Sequence, residues 1–279
     1  RGNKIRFNYL HDVVGYENYG KGIYMDDCSS GAEITGNVFQ RMKRAVQLGG
    51  GRDHQIGGNT ASKGNVISKN VSSAIRLAGS GHRIQGNFIG TDAAGTAGLG
   101  NRNGIDVSDA SNVLIGGLGA GEGNVIRNNV DDGVRIRGQS VSVLSNRIYG
   151  NGLMPVDLVG LPNGPDPNDG DDHDVGANGL QNYPVIESAS LSGGNTLIQA
   201  HLRSLPNLTY KVQFYSATTC HSSGLGEGNT LLGTVDALTD VSGNADLFYT
   251  GPSSSGTVTA IATDATGSTS EFGNCVALG

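Results

Sequence analysis

The 279-residue sequence contains no Trp, and aromatic residues make up only 5% of it. A wide globular core leans on large aromatic side chains, so their scarcity favours a narrow interior filled by small, repeating ones. Charge is sparse as well: 16% of residues are charged, signs are interspersed, and the net charge is −6. Without a basic patch, nucleic acid is excluded as a natural partner. No apolar run approaches about 18 residues, so no segment reads as a membrane-spanning helix. With three Cys there is no thiol-metal cluster, and no phosphate-binding loop or Ser/His/Asp elbow is visible. A secretory leader is also not visible. Residues 1–10 already read as part of a repeating unit, which raises the expectation that further units precede them.

What the chain has instead is Gly, 46 residues of it, and a recurring tetrad. Gly22-Ile23-Tyr24-Met25 returns at residues 45–48, 74–77, 104–107, 133–136 and 155–158, each time as small, aliphatic, variable, aliphatic. The first aliphatics stand at 23, 46, 75, 105, 134 and 156. A recurrence of this length marks stacked supersecondary units, and the alternation inside each unit is that of a strand. Ile56-Gly57-Gly58 returns at 115–117, Gly64-Asn65-Val66-Ile67 at 123–126, and Asn87 at Asn146, all at an offset of 59, or two units. Three short strands per unit, as in residues 104–107, 112–115 and 124–126, describe a right-handed parallel β-helix over residues 1–160. Asn37, Asn65, Asn87, Asn124 and Asn146 are expected at turns, in the left-handed conformation, bonding coil to coil. One coil carries an eight-residue insertion, centred on residues 93–99, that projects from a corner.

Residues 161–182 break every period and form an acidic Gly/Pro linker. From residue 183 the pattern changes to longer alternating strands, at 185–191, 196–202, 210–215, 231–237, 245–249 and 257–263, with a last piece near Cys275. This is an all-β chain ending in an Ig-like antiparallel sandwich that lacks the buried Trp of antibody domains. Cys220 and Cys275 fall in that domain and are expected to pair, closing a loop of 55 residues worth about 4 kcal/mol in the chain-entropy model. Such a bridge implies an oxidising, extracytoplasmic setting. Cys28, in the other domain, is left free. The alternative is three free thiols in a cytoplasmic protein.

Three groups of residues can carry chemistry. Asp26 and Asp27 follow a coil strand, and one unit later comes Gly49-Gly50-Gly51-Arg52-Asp53-His54. The glycine run leaves space beside the Asp pair. Asp26, Asp27 and Asp53 are therefore candidate acid, base or nucleophile for a glycosidic bond, with Arg52 and His54 beside them. The alternative is a turn-forming Asp pair at a Gly-rich corner. The second group is the variable position of the tetrad: Tyr24, Gln47, Arg76, Asp106, Arg135 and Asp157. In register these stack into an outer column of roughly 24 Å, suited to a glycan by ring stacking and bidentate hydrogen bonds, or else a solvated face that favours solubility. The third is the linker, where Asp166, Asp169, Asp171, Asp172 and Asp174, with Asn163 and Asn168, form an oxygen-rich run for Ca²⁺ or a flexible acidic hinge.

The run His11-Asp12-Val13, Gly22 to Asp27, Ser29-Ser30-Gly31, Gly36-Asn37-Val38-Phe39, Arg44-Ala45-Val46 and Gly49 to Asp53 resembles secreted bacterial right-handed β-helix proteins of the pectate-lyase-like superfamily. The resemblance covers about residues 5–55. It implies a carbohydrate substrate, cut by a hydrolase or a lyase, with Asp26, Asp27 and Asp53 as the residues to test; the same fold also serves tailspikes and adhesins. Residues 56–279, with Ile89-Gly90-Thr91-Asp92 and Ser270-Glu271-Phe272 ahead of Cys275, resemble large secreted or surface β-helix repeat proteins of bacteria. The expectation is therefore a secreted or surface monomer, with polysaccharide as partner, cleaving it or binding it without catalysis.

Overall fold

The computed structural model describes residues 2–15, 20–60, 62–160 and 164–279. The chain winds through three parallel ladders. Face A is built by Lys21–Met25, Arg44–Leu48, Ile75–Ser80, the first part of Ile105–Gly116, Val134–Ile136 and Val156–Leu158. Face B is Lys4–Arg6, Glu33–Thr35, Gln55–Gly57, Arg83–Gln85, the second part of Ile105–Gly116, and Gln139–Leu144. Face C is Tyr9–His11, Val38–Gln40, Val66–Ser68, Phe88–Ile89, Val125–Arg127 and Arg147–Tyr149. This is a parallel β-helix. Ile23, Val46, Ile75, Ile105, Val134 and Val156 are register partners in succession, and all are buried.

Two details differ from the expectation. Residues 105–116 are one continuous strand that bends from face A to face B, with a register shift between Val107 and Asp109. Neither Gly nor Pro interrupts Ser108-Asp109-Ala110-Ser111, so nothing breaks the ladder there, whereas in the preceding coil Gly81, at φ 68°, ends it. The second concerns the asparagines. Asn8, Asn37, Asn65, Asn87, Asn124 and Asn146 form one continuous stack, each side-chain amide donating to the next side-chain oxygen at 2.8–3.0 Å. They do not adopt the left-handed conformation; that falls to the residue before several of them, Phe7, Gly36, Gly86 and Ser145. A second stack, Asn70, Asn101, Asn129 and Asn151, runs along the corner between faces C and A and was not anticipated.

A third stack is made of histidine. The His54 ring is buried, not available to a substrate as expected, and stacks on His82 at 5.2 Å. His54 Nδ1 accepts the Ala32 N–H at 3.1 Å, and His82 Nδ1 accepts the His54 N–H at 3.3 Å. The opposite nitrogens face Ser29 Oγ and the Ala78 carbonyl. Both rings are therefore neutral, with the proton on Nε2. Burial lowers the proton affinity of both and the adjacent His82 ring adds to this for His54, while the Ala78 carbonyl opposes it for His82 and Asp53 opposes it for both.

Residues 185–279 form two antiparallel sheets. One holds Val185–Ser192, Asn195–Arg203 and Asn244–Pro252; the other holds Thr230–Leu238, Thr209–Ala217, Thr257–Thr263 and Val276–Ala277. Ile186, Ile198, Leu202 and Leu247 of the first face Val212, Phe214, Ala260 and Ala262 of the second. The outer side of the second sheet is buried too: Tyr215 and Ile261, with Phe272, join the β-helix core. That face closes the last coil. Val143 N donates to Thr269 Oγ1, Ser145 N to Gln213 Oε1, Ile148 pairs with Gly228, and Leu158 N donates to Glu271 Oε1. Cys220 and Cys275 are bridged and Cys28 is free and exposed.

Two outcomes test these stacks. In Asn87→Ala, the buried N–H and Nδ2 of Asn65 lose their acceptor, and urea unfolding should show a loss of at least about 2 kcal/mol. For the histidines, a folded-state affinity below the unfolded value means that the unfolded chain binds protons first, so their contribution is complete above about pH 6.5 and fades as pH falls below it. Subtracting the stability profile of His82→Asn from that of wild type should leave a term that declines in that acid range. Asp132 and Glu271, whose shifts run the other way, are common to both and cancel.

Candidate functional site

The tetrad's variable position forms the anticipated column: Tyr24, Gln47, Arg76, Asp106, Arg135 and Asp157 are register partners along face A. It is not uniformly solvated. Tyr24 is 47% exposed, whereas Asp106 and Asp157 are 8% exposed. At the open end, Lys21 Nζ sits 4.2 Å over the Tyr24 ring, and Arg44 donates to Gln47 Oε1 at 2.9 Å. In the middle, Asp106 is held by Arg137 at 2.8 Å and faces Arg76 at 3.8 Å. Asp106, expected to bind substrate, thus lies between two guanidinium groups, those of Arg76 and Arg137.

The column runs into a cavity of about 450 Å³ where coil, linker and sandwich meet. Asp131, Asp132, Arg135, Met154 and Asp157 line it from the coils, Gly164 and Pro165 from the linker, and His221, Ser222 and Ser223 from the sandwich. Arg135 Nε lies 3.3 Å from Asp157 Oδ2 and 3.8 Å from Asp132 Oδ2. Two oxygens at those distances from one atom are no more than about 7 Å apart, a bound that includes separations used by carboxylate pairs that cleave glycosides. Asp132 is pushed up to about 6, by burial first and then by the charge of Asp157; the Met154 N–H at 3.1 Å opposes this. Asp157 is raised by burial, and Arg135 pulls it back. His221 is lowered by burial; its Nδ1 accepts the Ser223 N–H at 3.1 Å. Behind the cavity Glu271 is buried and pushed up to about 8 by that burial, although it accepts the N–H groups of Leu158 and Asp166 at 3.1 Å.

Of the residues singled out from sequence, Arg135 and Asp157 belong to this site. Asp131, Asp132 and His221 were missed. Asp131-Asp132-Gly133 reads as turn chemistry, and His221 comes from the other domain. The only available signal for Asp132 was its position just before a tetrad.

The glycine corner is arranged partly as expected. A side chain at Gly50 would lie 2.3 Å from Asp27 Oδ1, and one at Gly49 would lie 2.8 Å from the Tyr24 hydroxyl, so the run does make room for the Asp pair. Tyr24 donates to Asp26 Oδ1 at 3.0 Å, and its own proton is held more tightly as a result. Asp53 does not join them. Its carboxylate lies over Gly81 of the next coil, in a groove with His82 and Arg83 that neither Asp26 nor Asp27 lines. Arg52, exposed, reaches Asp53 at 3.8 Å. Asp26 and Asp27 thus lie outside the groove that Asp53 lines.

The acidic linker is folded onto the sandwich. Asp172, buried, accepts from Gln181 Nε2, from Asn182 N and from the Ser204 hydroxyl. Asp169 caps the Asp172 N–H, and the Asp166 N–H meets Glu271. Asp171 and Asp174 point to solvent. Asn163 lies outside the described residues. Among the described residues no three acidic, His or Cys side chains gather closely enough to hold a metal ion. Nor is any described helix long and apolar enough to cross a membrane.

No family model matches the chain, and no curated protein matches it. Among solved structures it is similar to the full-length tailspike protein 2 of an Escherichia coli O157:H7 bacteriophage, CAB120, at 10% identity and a TM-score of 0.28. The likeness covers 96% of this chain and 57% of that one, so the chain spans little more than half of the tailspike's length.

Proposed function

We propose that this chain is an extracellular, polysaccharide-acting, right-handed parallel β-helix protein with an Ig-like closing domain. The face A column is the glycan track, and the junction cavity is where a glycosidic bond is cut. The observation that carries this reading is Asp132 and Asp157, on adjacent coils, flanking one guanidinium at the end of the column. Tyr24 offers a ring face, and Gln47 and Arg76 offer hydrogen bonds, the groups by which sugar rings are held. The Cys220–Cys275 bridge supports an oxidising compartment.

Asp132 holds its proton to about pH 6 and donates it to the departing glycosidic oxygen. Asp157, closer to Arg135, is the more readily ionised of the pair and acts on the other side of the anomeric carbon, as nucleophile or as base toward water. Arg135 orients both carboxylates, and His221 walls the cavity. The alternative is a glycan-binding solenoid in which the Asp132–Arg135–Asp157 ion pairs serve the domain junction alone; the tight pairing of Asp106 along the same column favours it.

A panel of neutral and acidic polysaccharides separates the readings. Reducing-end release should fall by roughly 10²–10⁴ in Asp132→Asn and in Asp157→Asn, with binding retained. As the acid must be protonated, kcat/KM should decline as pH rises past about 6. Loss of activity in Asp26→Asn or Asp27→Asn but not in Asp132→Asn would move the reaction to the glycine corner. Binding without release in wild type would establish the solenoid reading.

A further inference from the structure

Face C carries a second group of charges, away from the column and from the junction cavity. Arg127 and Tyr149 are register partners, and Arg147 projects on the same side of its strand as Tyr149, two residues earlier. Their guanidinium carbons lie 4.7 Å and 5.4 Å from the centre of the Tyr149 ring. Arg127 Nη1 donates to the Tyr149 oxygen at 2.9 Å and Arg147 Nη2 donates to it at 3.3 Å.

Two features of this cluster are incomplete. Among the described residues neither arginine has an acidic side chain within ion-pair distance, since every such pair involves other groups. Glu227, on the docked sandwich loop, is committed to the Gly150 N–H at 3.1 Å. Secondly, Arg127 Nε is buried and has no partner. The phenol oxygen already accepts from both cations, so its own proton points away from them and is free to be donated. An unpartnered donor on Arg127 and two positive charges without an acidic neighbour, beside an outward O–H, make a receptor for negative oxygen.

The eight-residue insertion gives the cluster a wall. Asp92 gathers the loop by accepting the N–H groups of Thr96 and Ala97, and Gly95 O accepts from Arg127 Nη1 at 2.8 Å. On the other side Arg147 Nε donates to the Asn229 carbonyl at 2.9 Å, which anchors that side chain to the sandwich. Both arginines are thus held in place before any ligand arrives.

We propose that Arg127, Arg147 and Tyr149 form an oxyanion-binding site, for a sulfate, phosphate or carboxylate group, either free in solution or carried as a substituent on a glycan. The site is independent of the catalytic reading above, because it shares no residue with it.

Calorimetric titration of the whole chain with sodium sulfate, against sodium chloride at matched ionic strength, tests it directly. Sulfate should bind wild type, roughly tenfold more weakly in Arg147→Gln, and several-fold more weakly in Tyr149→Phe. Arg83→Gln, an exposed arginine on face B, should bind as wild type does. Arg147 is exposed and its variant should fold; if it does not, Tyr149→Phe carries the comparison. Dextran sulfate set against dextran separates the two sources: competition between dextran sulfate and free sulfate assigns the site to a glycan substituent, and sulfate binding alone assigns it to the free ion. No sulfate binding to wild type, or equal binding in the Arg147 and Tyr149 variants, overturns the proposal.

Discussion

Everything in this molecule depends on coil-to-coil register. A parallel ladder can slide unless something inside it is expensive to misalign, and here that element is the asparagine amide. Each inner Asn of the stack gives its backbone N–H and one amide hydrogen to the Asn oxygen of the following coil, gives its other amide hydrogen to a carbonyl of the preceding coil, and accepts on its oxygen from the preceding Asn. A slip of one residue would strand several buried donors at once, at a cost of about 1–3 kcal/mol each. The aliphatic stack supplies the driving force for burial but tolerates exchange among Ile, Val and Leu. Specificity therefore falls to the polar stacks, and the face A column inherits its alignment from them.

Register alone leaves the last coil with unpaired strand edges, which would recruit other chains. The second sheet of the sandwich answers this by being buried on both sides. Its inner face packs on the partner sheet and its outer face, through Tyr215, Ile261 and Phe272, continues the solenoid core. Thr269, Gln213, Gly228 and Glu271 meet the edge groups of all three faces. The sandwich closes the solenoid as well as following it.

These roles were unevenly legible in the sequence. The aliphatic stack and the column could be read because each repeats at the same place in every coil, and the sandwich strands because they alternate. Burial of both faces of Thr209–Ala217 could not be read, since its outer-face residues, Gln213 and Tyr215 among them, look no different from those of a solvated face. His54 looked like a neighbour of Asp53 because the sequence places them side by side; the backbone at Asp53, with φ 58°, sends one outward and the other in. Asp132 lies in the repeat but reads as a turn, and its environment is completed by His221 from about ninety residues away. A period reports what a residue shares with its copies. A site depends on what only one copy meets.

The same contrast explains why unusual acidity gathers where it does. Charges along the open part of the column face water and pair with one another. At the junction the sandwich removes water from the final rungs, and Asp132, Asp157, Asp166 and Glu271 all hold their protons more tightly, with burial as the largest cause in each. Buried carboxyl groups oppose stability unless they are paired or bonded, and apolar residues would have closed the coil as well. Glu271 has a structural reason to be there, since it takes two backbone N–H groups that nothing else accepts. Asp132 and Asp157 share a single guanidinium whose Nε makes no hydrogen bond to either. An incomplete ion pair, in a cavity where the repeat meets a different fold, is the arrangement on which the acid role proposed for Asp132 rests.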